Sequence, residues 1–201
     1  WEVSRRSDAP EAACRPFDLH RDGLVNGEGA AVFVLESAHH ARARAAPVRA
    51  RILAYAEAFE PRPDRRPITG QAVERALHLA LQRAGLNPSD VGHINAHGIS
   101  TRHDDRIEAQ AIYRCLPDVP VTAPKSYFGY LGAGSAAVEL AASVLALEHR
   151  LIPATLNYQT PDPECPIQVV AETPRPLGPA VAIKLAHATT GQAAALVLAS
   201  S

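Results

Sequence analysis

The feature that most constrains this fold is an alternation of short apolar runs with amphipathic helical segments. Between Val73 and Ala84, apolar residues recur at the spacing of one helix face, and Gly85 follows where a glycine commonly ends a helix. The apolar run Val91–Ala96 comes next, and we predict a second amphipathic helix from about Asp104 to Cys115 and another strand near 119–123. Strands and helices that alternate at these lengths predict an α/β fold with helices packed on a central sheet.

Toward the N-terminus, the same pattern predicts four further segments. Gly29–Glu36 is an apolar run suited to a buried strand, and residues 37–46 suit an exposed helix. We expect a strand within 48–59, and then a proline- and arginine-rich loop from Pro61 to Pro67.

Toward the C-terminus, a helix and two strands are expected. Residues 134–148 are apolar nearly all round, which predicts a buried helix. Ala180–Ala186 and Ala193–Ala199 are typical of buried strands, and the tight connection Thr189–Gln192 joins them.

The composition argues against several classes of protein. Of the 201 residues, 47% are hydrophobic and 20% are charged, and the formal net charge of −1 disfavours a general nucleic-acid-binding protein. No apolar run approaches the roughly 18 residues of a membrane span, and no signal peptide is recognisable, so we expect a cytoplasmic protein. Because the sequence contains no methionine, we expect it to be part of a longer polypeptide.

The cysteines and histidines do not indicate a metal site. Cys14, Cys115 and Cys165 are too few and too scattered for a disulfide framework or a CxxC metal site. His93 and His97 on one strand would be about 13 Å apart at a rise of ~3.3 Å per residue, too far to share one ion. We therefore expect no bound metal.

His97 is the first candidate for chemistry. It follows the predicted strand Val91–Ala96, at the edge where α/β folds gather their ligand groups. The near-neutral pKa that is usual for histidine suits a hydrogen-bond donor or a proton carrier. A structural histidine with satisfied hydrogen bonds is the alternative, and the local sequence leaves both interpretations open.

Lys125 is the second candidate, because it and Lys184 are the only lysines among 20 basic residues. Lys125 closes the strand near 119–123, and a loop rich in small residues follows, from Gly129 to Gly134. This loop matches neither a P-loop nor a dinucleotide-binding pattern. From the residues alone, tight packing of a helix on the sheet is the better interpretation of the glycines.

Four segments together resemble the β-ketoacyl-ACP synthase family, in the family's order and spacing. They are RPFD-x3-RDG-x3-GEGAAVFVLE (Arg15–Glu36), NAHGISTRHDDRIEAQA (Asn95–Ala111), KSYFGYLGAGSAAVE (Lys125–Glu139) and IPATLNYQTPDPEC (Ile152–Cys165). The resemblance implies a thiolase-like fold, in which two similar α/β halves form a five-layered sandwich. Residues 1–38 would be the end of the N-terminal half, a loop and its last strand, and residues 39–201 would be the C-terminal domain.

The resemblance also implies an activity. Family members hold an acyl group on a cysteine and condense it with malonyl-ACP in fatty-acid or polyketide synthesis, assisted by two histidines, a lysine and a glutamate. His97 matches the first histidine, Lys125 the lysine and Glu108 the glutamate. An enolate oxygen is best stabilised by preorganised donors in a dry site, which these residue types can supply. The implied partners are the acyl carrier protein and its acyl and malonyl thioesters, with dimerisation through the N-terminal half and no cofactor.

Three departures from the family pattern stand out. Tyr130 occupies the position of the second histidine, and its hydroxyl cannot carry a positive charge near pH 7. Thr189 occupies the position of the family's gating phenylalanine, so we expect the gate to be either lost or remade, with Thr189 and Gly129 as the pocket or gate residues. None of the three cysteines has a local sequence that predicts a lowered pKa, so we expect the nucleophile to be missing and this chain alone to be inactive.

Three interpretations therefore remain open. The first is a condensing acyltransferase that is present as a fragment. The second is a non-condensing partner subunit that resembles chain-length factors, which the loss of the second histidine and of the phenylalanine favours. Retention of His97, Lys125 and Glu108 favours the first. A ligand-binding or scaffolding α/β domain of another kind would require all four sequence matches to be coincidental.

Overall fold

The computed structural model describes residues 2–62 and 67–201, and within them it contains five α-helices and eight β-strands. The helices are α1 (Ala38–Ala43), α2 (Gln71–Ala84), α3 (Arg102–Cys115), α4 (Lys125–Phe128) and α5 (Ser135–His149). The strands are β1 (Ala50–Phe59), β2 (His93–Asn95), β3 (Pro120–Thr122), β4 (Leu151–Ile152), β5 (Gln168–Val169), β6 (Arg175–Pro176), β7 (Val181–His187) and β8 (Gln192–Ser200). Single 3-10 turns lie at Pro10–Ala12, Pro88–Asp90 and Gly132–Gly134.

Six of the strands form one mixed sheet in the order β1-β8-β7-β2-β3-β5. β8 runs antiparallel to both of its neighbours, β1 and β7, whereas β7, β2, β3 and β5 are parallel. β4 and β6 pair separately as a short antiparallel ribbon. The parallel part of the sheet brings the carboxyl ends of β7, β2 and β3 side by side, and the candidate site is built there.

The helices form where the sequence predicts them. α2 buries the apolar face that includes Val73, Ala76 and Leu77. Gly85 ends the helix in the left-handed conformation, with φ 66°, and its N–H donates to the carbonyl of Gln82. That backbone conformation favours glycine, which has no side chain to strain it. α3 begins at a threonine cap, because the Thr101 side chain accepts from the N–H of Asp104.

The main core lies between the sheet and helices α2 and α3. Leu77 and Ile112 from the helices pack with Ile94, Ile183 and Val197 from the strands, and all five are fully buried. A smaller apolar cluster lies under the C-terminal part of α5 and includes Leu147, Ile152 and Leu198. The α/β layering predicted from the sequence is confirmed.

The prediction of a buried strand over Gly29–Glu36 is wrong. Residues 27–36 have no regular secondary structure, and Val32 and Val34 are 93% and 82% exposed. A strand requires a neighbour for its N–H and C=O groups, and no segment within 2–62 and 67–201 pairs with this one. The apolar, β-branched composition is therefore not sufficient to form a strand here.

The helix over residues 134–148 is correctly located, as α5, but the prediction that it is buried all round is wrong. Its buried residues include Ser135, Glu139 and Ser143, which recur every four positions, while Leu145 is 52% exposed. The amide of Asn95 on β2 explains the polar inner face, because it donates to the carbonyl of Glu139 at 2.6 Å and to the Ser143 hydroxyl at 2.8 Å. Buried polar groups need such partners, so the helix presents its polar stripe to the sheet.

The N-terminal part of the chain packs on the sheet as a loop. Phe17 and Arg21 in this part are buried. Pro63–Arg66, the middle of the predicted loop Pro61–Pro67, lies outside the described residues. The domain boundary expected near residue 38 stays a prediction. Among the helices that the structure describes, none is both long enough and apolar enough to cross a membrane.

Candidate active site

The ends of three adjacent parallel strands bring the principal candidate residues together. His97 follows β2, Lys125 lies just beyond β3 as the first residue of α4, and His187 is the last residue of β7. Strand ends at one edge of a parallel sheet form the usual ligand crevice of α/β folds. We call the charged and imidazole groups gathered at this edge the strand-end cluster; its members are His97, Glu108, Lys125, Glu139, Lys184 and His187.

Lys125 fixes the protonation state of His97. Its Nζ lies 3.3 Å from Nδ1 of His97 and donates at 2.5 Å to the carbonyl of the same residue. An ammonium group has only donors, so Nδ1 accepts and the ring proton lies on Nε2. Burial, and then the charge of Lys125, holds the pKa of His97 well below its usual value. His97 is therefore a neutral imidazole that presents an Nε2–H donor.

Both lysines of the chain share one carboxylate. The Nζ atoms of Lys125 and Lys184 each form an ion pair with Glu139 of α5, at 2.5 Å for Lys184, and all three side chains are almost fully buried. Burial lowers the pKa of Lys125 to about 8, although the charge of Glu139 opposes this shift. The carboxylate that pairs with Lys125 is thus Glu139, and Glu108 has another task.

Glu108 holds the backbone at the end of β2. Its carboxylate accepts from the N–H of His97 at 2.6 Å and from that of Gly98 at 2.8 Å, and one oxygen lies 3.8 Å from Nε2 of His187. Burial opposes its ionisation, but His187 and the two backbone donors outweigh burial, so the pKa of Glu108 lies below its usual value. Glu108 therefore remains an anion and orients both the His97 backbone and His187.

Tyr130 also reaches the site. Its ring stands edge-on to that of His97, with the ring centroids 6.5 Å apart. The Tyr130 N–H donates to the carbonyl of Val25 at 2.7 Å. Gly129 makes this approach possible, because it adopts φ 76° and a Cβ there would lie 2.7 Å from the same carbonyl oxygen. The structure thus brings Tyr130 beside His97 through a position that requires glycine.

Thr189 lies two residues beyond His187, in the turn between β7 and β8. Its carbonyl accepts from Nη1 of Arg62 at 2.6 Å. An open cavity of about 690 Å³ borders this turn, with His187 on one side and Tyr55 and Phe59 on the other. The role of Thr189 and Gly129 as a gate stays a prediction.

Sequence reasoning did not assign three members of the cluster, namely Glu139, Lys184 and His187. Lys184 was conspicuous as one of two lysines, and Glu139 ends the Lys125–Glu139 match, but no motif marks His187. Its ring lies 4.6 Å from that of His97, centroid to centroid. Only the order of strands in the sheet reveals that these side chains meet.

The cysteines are poor nucleophiles. Cys14, Cys115 and Cys165 are all buried and unpaired with one another. Burial raises the pKa of each thiol to about 12. The charges near Cys14 and Cys165 are of both signs, so some raise the thiol pKa and others lower it. The thiolate is the reactive form, so none of these thiols is activated. Among the residues that the structure describes, no group of three or more His, Cys, Asp or Glu side chains is placed to hold a metal ion.

Solved structures define the class of fold. A structure described as a type II polyketide synthase acyl-carrier protein in complex with its ketosynthase bound to the hexaketide matches with a TM-score of 0.92 and 33% identity, over 100% of this chain and 50% of that chain. The ishigamide ketosynthase/chain length factor matches with a TM-score of 0.88 and 32% identity, over 94% of this chain and 47% of that one. The chain thus has the thiolase-like α/β fold that its sequence predicts.

Sequence comparison defines the family. Residues 49–159 match the family model described as "Beta-ketoacyl synthase, C-terminal domain". The "Putative polyketide beta-ketoacyl synthase 1" of Streptomyces cyaneus is 45% identical over 180 residues, which cover 87% of this chain and 42% of that protein. The chain belongs to the β-ketoacyl synthase family, and it spans about two fifths of the length of this relative.

Proposed function

We propose that this chain contributes the malonyl-decarboxylating side of a β-ketoacyl synthase site. The observation that carries the proposal is the neutral His97, whose Nδ1 faces the Lys125 ammonium and whose Nε2–H is left to donate. The substrates would be malonyl and acyl thioesters on an acyl carrier protein, and no cofactor is needed for the reaction. This acyltransferase activity is the first of the interpretations drawn from the sequence.

The reaction places negative charge where this site has donors. In decarboxylation, the bond between the carboxyl carbon and the α-carbon breaks, CO2 leaves, and the electron pair moves onto the α-carbon and the thioester oxygen. The Nε2–H of His97 donates to that oxygen as its charge develops. The ammonium of Lys125 faces Nδ1 of the same ring and adds a positive charge behind this donor, while Glu139 and Glu108 balance the two lysines of the cluster. The α-carbon then attacks the acyl thioester carbonyl, and the thiolate that held the acyl group leaves.

The acyl group requires a nucleophile that these residues do not offer. Cys14, Cys115 and Cys165 are buried thiols whose pKa is raised to about 12. We expect no covalent adduct on them when this chain is incubated with acyl-ACP. Mass spectrometry measures this directly. A stoichiometric adduct that hydroxylamine removes would show that one of these three thiols is the nucleophile, contrary to our expectation.

Partner chains are part of the proposal. Large apolar side chains are exposed at Val32, Val34 and Leu35, and on α5 at Leu145. Apolar patches of this kind are typical of surfaces that another protein covers. We expect self-association, or dependence on a partner chain, in light scattering. A monomer at high concentration that binds no apolar dye would argue against this part of the proposal.

Tyr130 supports a second candidate function, that of a chain-length-factor-like partner subunit, which shapes the pocket without catalysing condensation. The specific observation is that a phenol lies beside His97, where the family has an imidazole. One solved relative is described as a ketosynthase/chain length factor, which shows that both kinds of protein occur near this fold. Relatives named for polyketide synthesis and relatives named 3-oxoacyl-[acyl-carrier-protein] synthase 2 both match, so the proposal includes polyketide and fatty-acid substrates.

The test is release of CO2 from malonyl-ACP by the complete natural polypeptide with its partner. We expect His97→Ala to lower the rate ~10²–10³-fold, the usual effect of removing one preorganised donor to a developing oxyanion. His39→Ala on the exposed surface of α1 is the matched control and should leave the rate unchanged. If the wild type releases no CO2, the partner-subunit function replaces the condensing one.

A further inference from the structure

His187 is a buried imidazole that the proposed decarboxylation does not use. It is 8% exposed, and within the described residues neither of its ring nitrogens has a hydrogen-bond partner. A buried polar group without a partner destabilises the fold. Its position is nevertheless specific, since its ring lies 4.6 Å from that of His97 and tilted by 59°.

His97 cannot accept a proton while Lys125 is charged. Its Nδ1 lone pair faces the ammonium Nζ at 3.3 Å, and its Nε2 already carries the ring proton. A condensing reaction nevertheless requires a proton acceptor, because the thiol that receives the acyl group has to lose its proton before it attacks. The site therefore needs a second group with an available lone pair.

His187 has that lone pair. A Glu108 oxygen lies 3.8 Å from its Nε2, beyond hydrogen-bond distance, and its negative charge favours the tautomer with the proton on Nε2 and the lone pair on Nδ1. A histidine whose far nitrogen is oriented by a carboxylate is a recurrent form of general base.

We infer that His187, oriented by Glu108, is the general base of this site, whereas His97 is its hydrogen-bond donor. In acyl transfer, the proton of the receiving thiol moves to Nδ1 of His187, and the resulting thiolate attacks the acyl-ACP carbonyl. The C–S bond to the carrier breaks, and the carrier thiolate recovers the proton from His187. The thiol is a substrate-bearing cysteine outside the three buried ones, so this inference rests on the proposed function.

The neighbouring charges support this division of tasks. Glu108 of α3 faces His187 and stabilises a proton that it has accepted, whereas Lys125 and Lys184 act on His97 and repel one. His97 itself, at the end of β2, also faces His187. Two adjacent imidazoles in a dry site cannot both be protonated without mutual repulsion, and these charges select His187 as the acceptor.

The experiment compares two half-reactions in the complete natural polypeptide with its partner. Acylation is measured by mass spectrometry after mixing with acyl-ACP, and decarboxylation by CO2 release from malonyl-ACP. We expect His187→Ala to slow acylation by ~10²-fold or more, the usual contribution of a positioned general base, and to slow decarboxylation less. His97→Ala should show the opposite order. Added imidazole should restore acylation in His187→Ala and should leave His97→Ala unchanged.

The outcomes separate this inference from the function on which it rests. A wild type that neither acylates nor releases CO2 overturns both. A wild type that acylates normally, with His187→Ala equally fast or slow without rescue by imidazole, overturns only the assignment of His187. His187→Gln keeps the side-chain volume, and circular dichroism monitors its fold. If His187→Ala fails to fold, the Gln variant decides, because it has no basic nitrogen and should be slow to acylate although it is folded.

Discussion

Two groups of buried charges lie near the same edge of the sheet, and they are built from different residues. In the first, which we call the loop cluster, Arg21 lies among Asp18, Asp105 and Asp162. Arg21 bonds Asp162 at 2.6 Å and also donates to three backbone carbonyls, including that of Thr101 at 3.0 Å. Asp105 accepts from three backbone N–H groups, and so does Asp18. Nearly every charge in this cluster is thus bonded to backbone as well as to another charge.

The strand-end cluster is less completely bonded. Among the described residues, the Glu139 carboxylate meets two ammonium groups and no backbone donor, and the nitrogens of His187 have no hydrogen-bond partner. The loop cluster uses arginine, which keeps its charge at any physiological pH. The strand-end cluster contains both lysines of the chain, and lysine loses its proton readily when it is buried.

This difference teaches which cluster supports the fold and which supports the chemistry. The permanent charge of Arg21 and carboxylates with satisfied hydrogen bonds connect the N-terminal loop to α3 and to residues 159–162, although burial raises the pKa of Asp105 in this cluster to about 7. Titratable groups with unused donors and acceptors are typical of functional sites, where pKa values are shifted. Substitutions in the two clusters should therefore affect different measurements.

The largest effect on stability should come from Arg21→Met. This change leaves Asp105 and Asp162 buried without their counter-charge, and relief then requires Asp105, whose pKa burial raises to about 7, to take up a proton. We expect the free energy of unfolding to fall by roughly 3–5 kcal/mol, measured by denaturant titration of the complete polypeptide. Arg106→Met removes an exposed pair with Glu164 and is the control, with an expected change below about 1 kcal/mol. Equal changes in both variants would falsify the structural role of the loop cluster.

The next effect is on activity and comes from Glu139→Gln. Without this carboxylate, two buried ammonium groups face each other, and Lys125 relieves the repulsion by releasing its proton. The neutral amine can then accept from Nδ1 of His97 as well as donate to it, so the Nε2–H donor is no longer enforced. We expect CO2 release to fall about 10²-fold. We expect a smaller loss of stability than in Arg21→Met, because a lysine can become neutral.

Glu148→Gln is the matched control for Glu139→Gln, since Glu148 pairs with Arg49 on the exposed side of the same helix. It should leave CO2 release unchanged. An active Glu139→Gln protein would show that His97 keeps its tautomer without the lysine–glutamate pair.

The difference between arginine and lysine also predicts a pH dependence. Lys125 has its pKa lowered to about 8, so above that pH it becomes a neutral amine that can accept from Nδ1 of His97 as well as donate to it, and the tautomer with the proton on Nε2 is no longer enforced. We expect CO2 release to fall about tenfold per pH unit above 8. Lys125→Arg, which stays protonated, should lose this alkaline fall even if its rate is lower. An alkaline fall that is identical in the variant would assign it to another group.

The same group gives a stability trend of defined sign. The folded pKa of Lys125, about 8, lies below its ordinary value of 10.5, so between these values the unfolded chain binds more protons. The free energy of unfolding contributed by this residue therefore rises with pH through that window. The difference between wild type and Lys125→Met isolates this contribution in denaturant titrations at several pH values.

The sequence locates one half of the strand-end cluster and misses the other for a physical reason. His97 and Lys125 each follow a predicted strand, and Glu108 lies on the helix between them, so chain order alone places them near one another. Lys184 and His187 lie on β7, which is far along the chain and is adjacent to β2 only through the order of the sheet. Local patterns carry no information about such pairing.

The two wrong predictions have the same origin. Gly29–Glu36 has the composition of a strand, and α5 has that of a fully buried helix. Whether a segment is buried, however, depends on the residues that pair with it or pack against it. No described strand pairs with the first, and the second turns Glu139 and Ser143 inward to meet Asn95. In both segments, the hydrophobic pattern did not predict which side chains are buried.

The smallest effect should come from Tyr130→Phe. If the donors of this site are His97 and the two lysines, the phenol fills space beside the His97 ring and donates nothing that the reaction requires. We therefore expect Tyr130→Phe to change CO2 release by less than about twofold. Tyr130→His should keep the rate or raise it, because an imidazole adds a donor where His97 and Lys125 are already in place. A large loss in the Phe variant, with the fold intact by circular dichroism, would show instead that the hydroxyl is a working donor to the thioester oxygen. The site would then stabilise the enolate through a phenol as well as through the Nε2–H of His97.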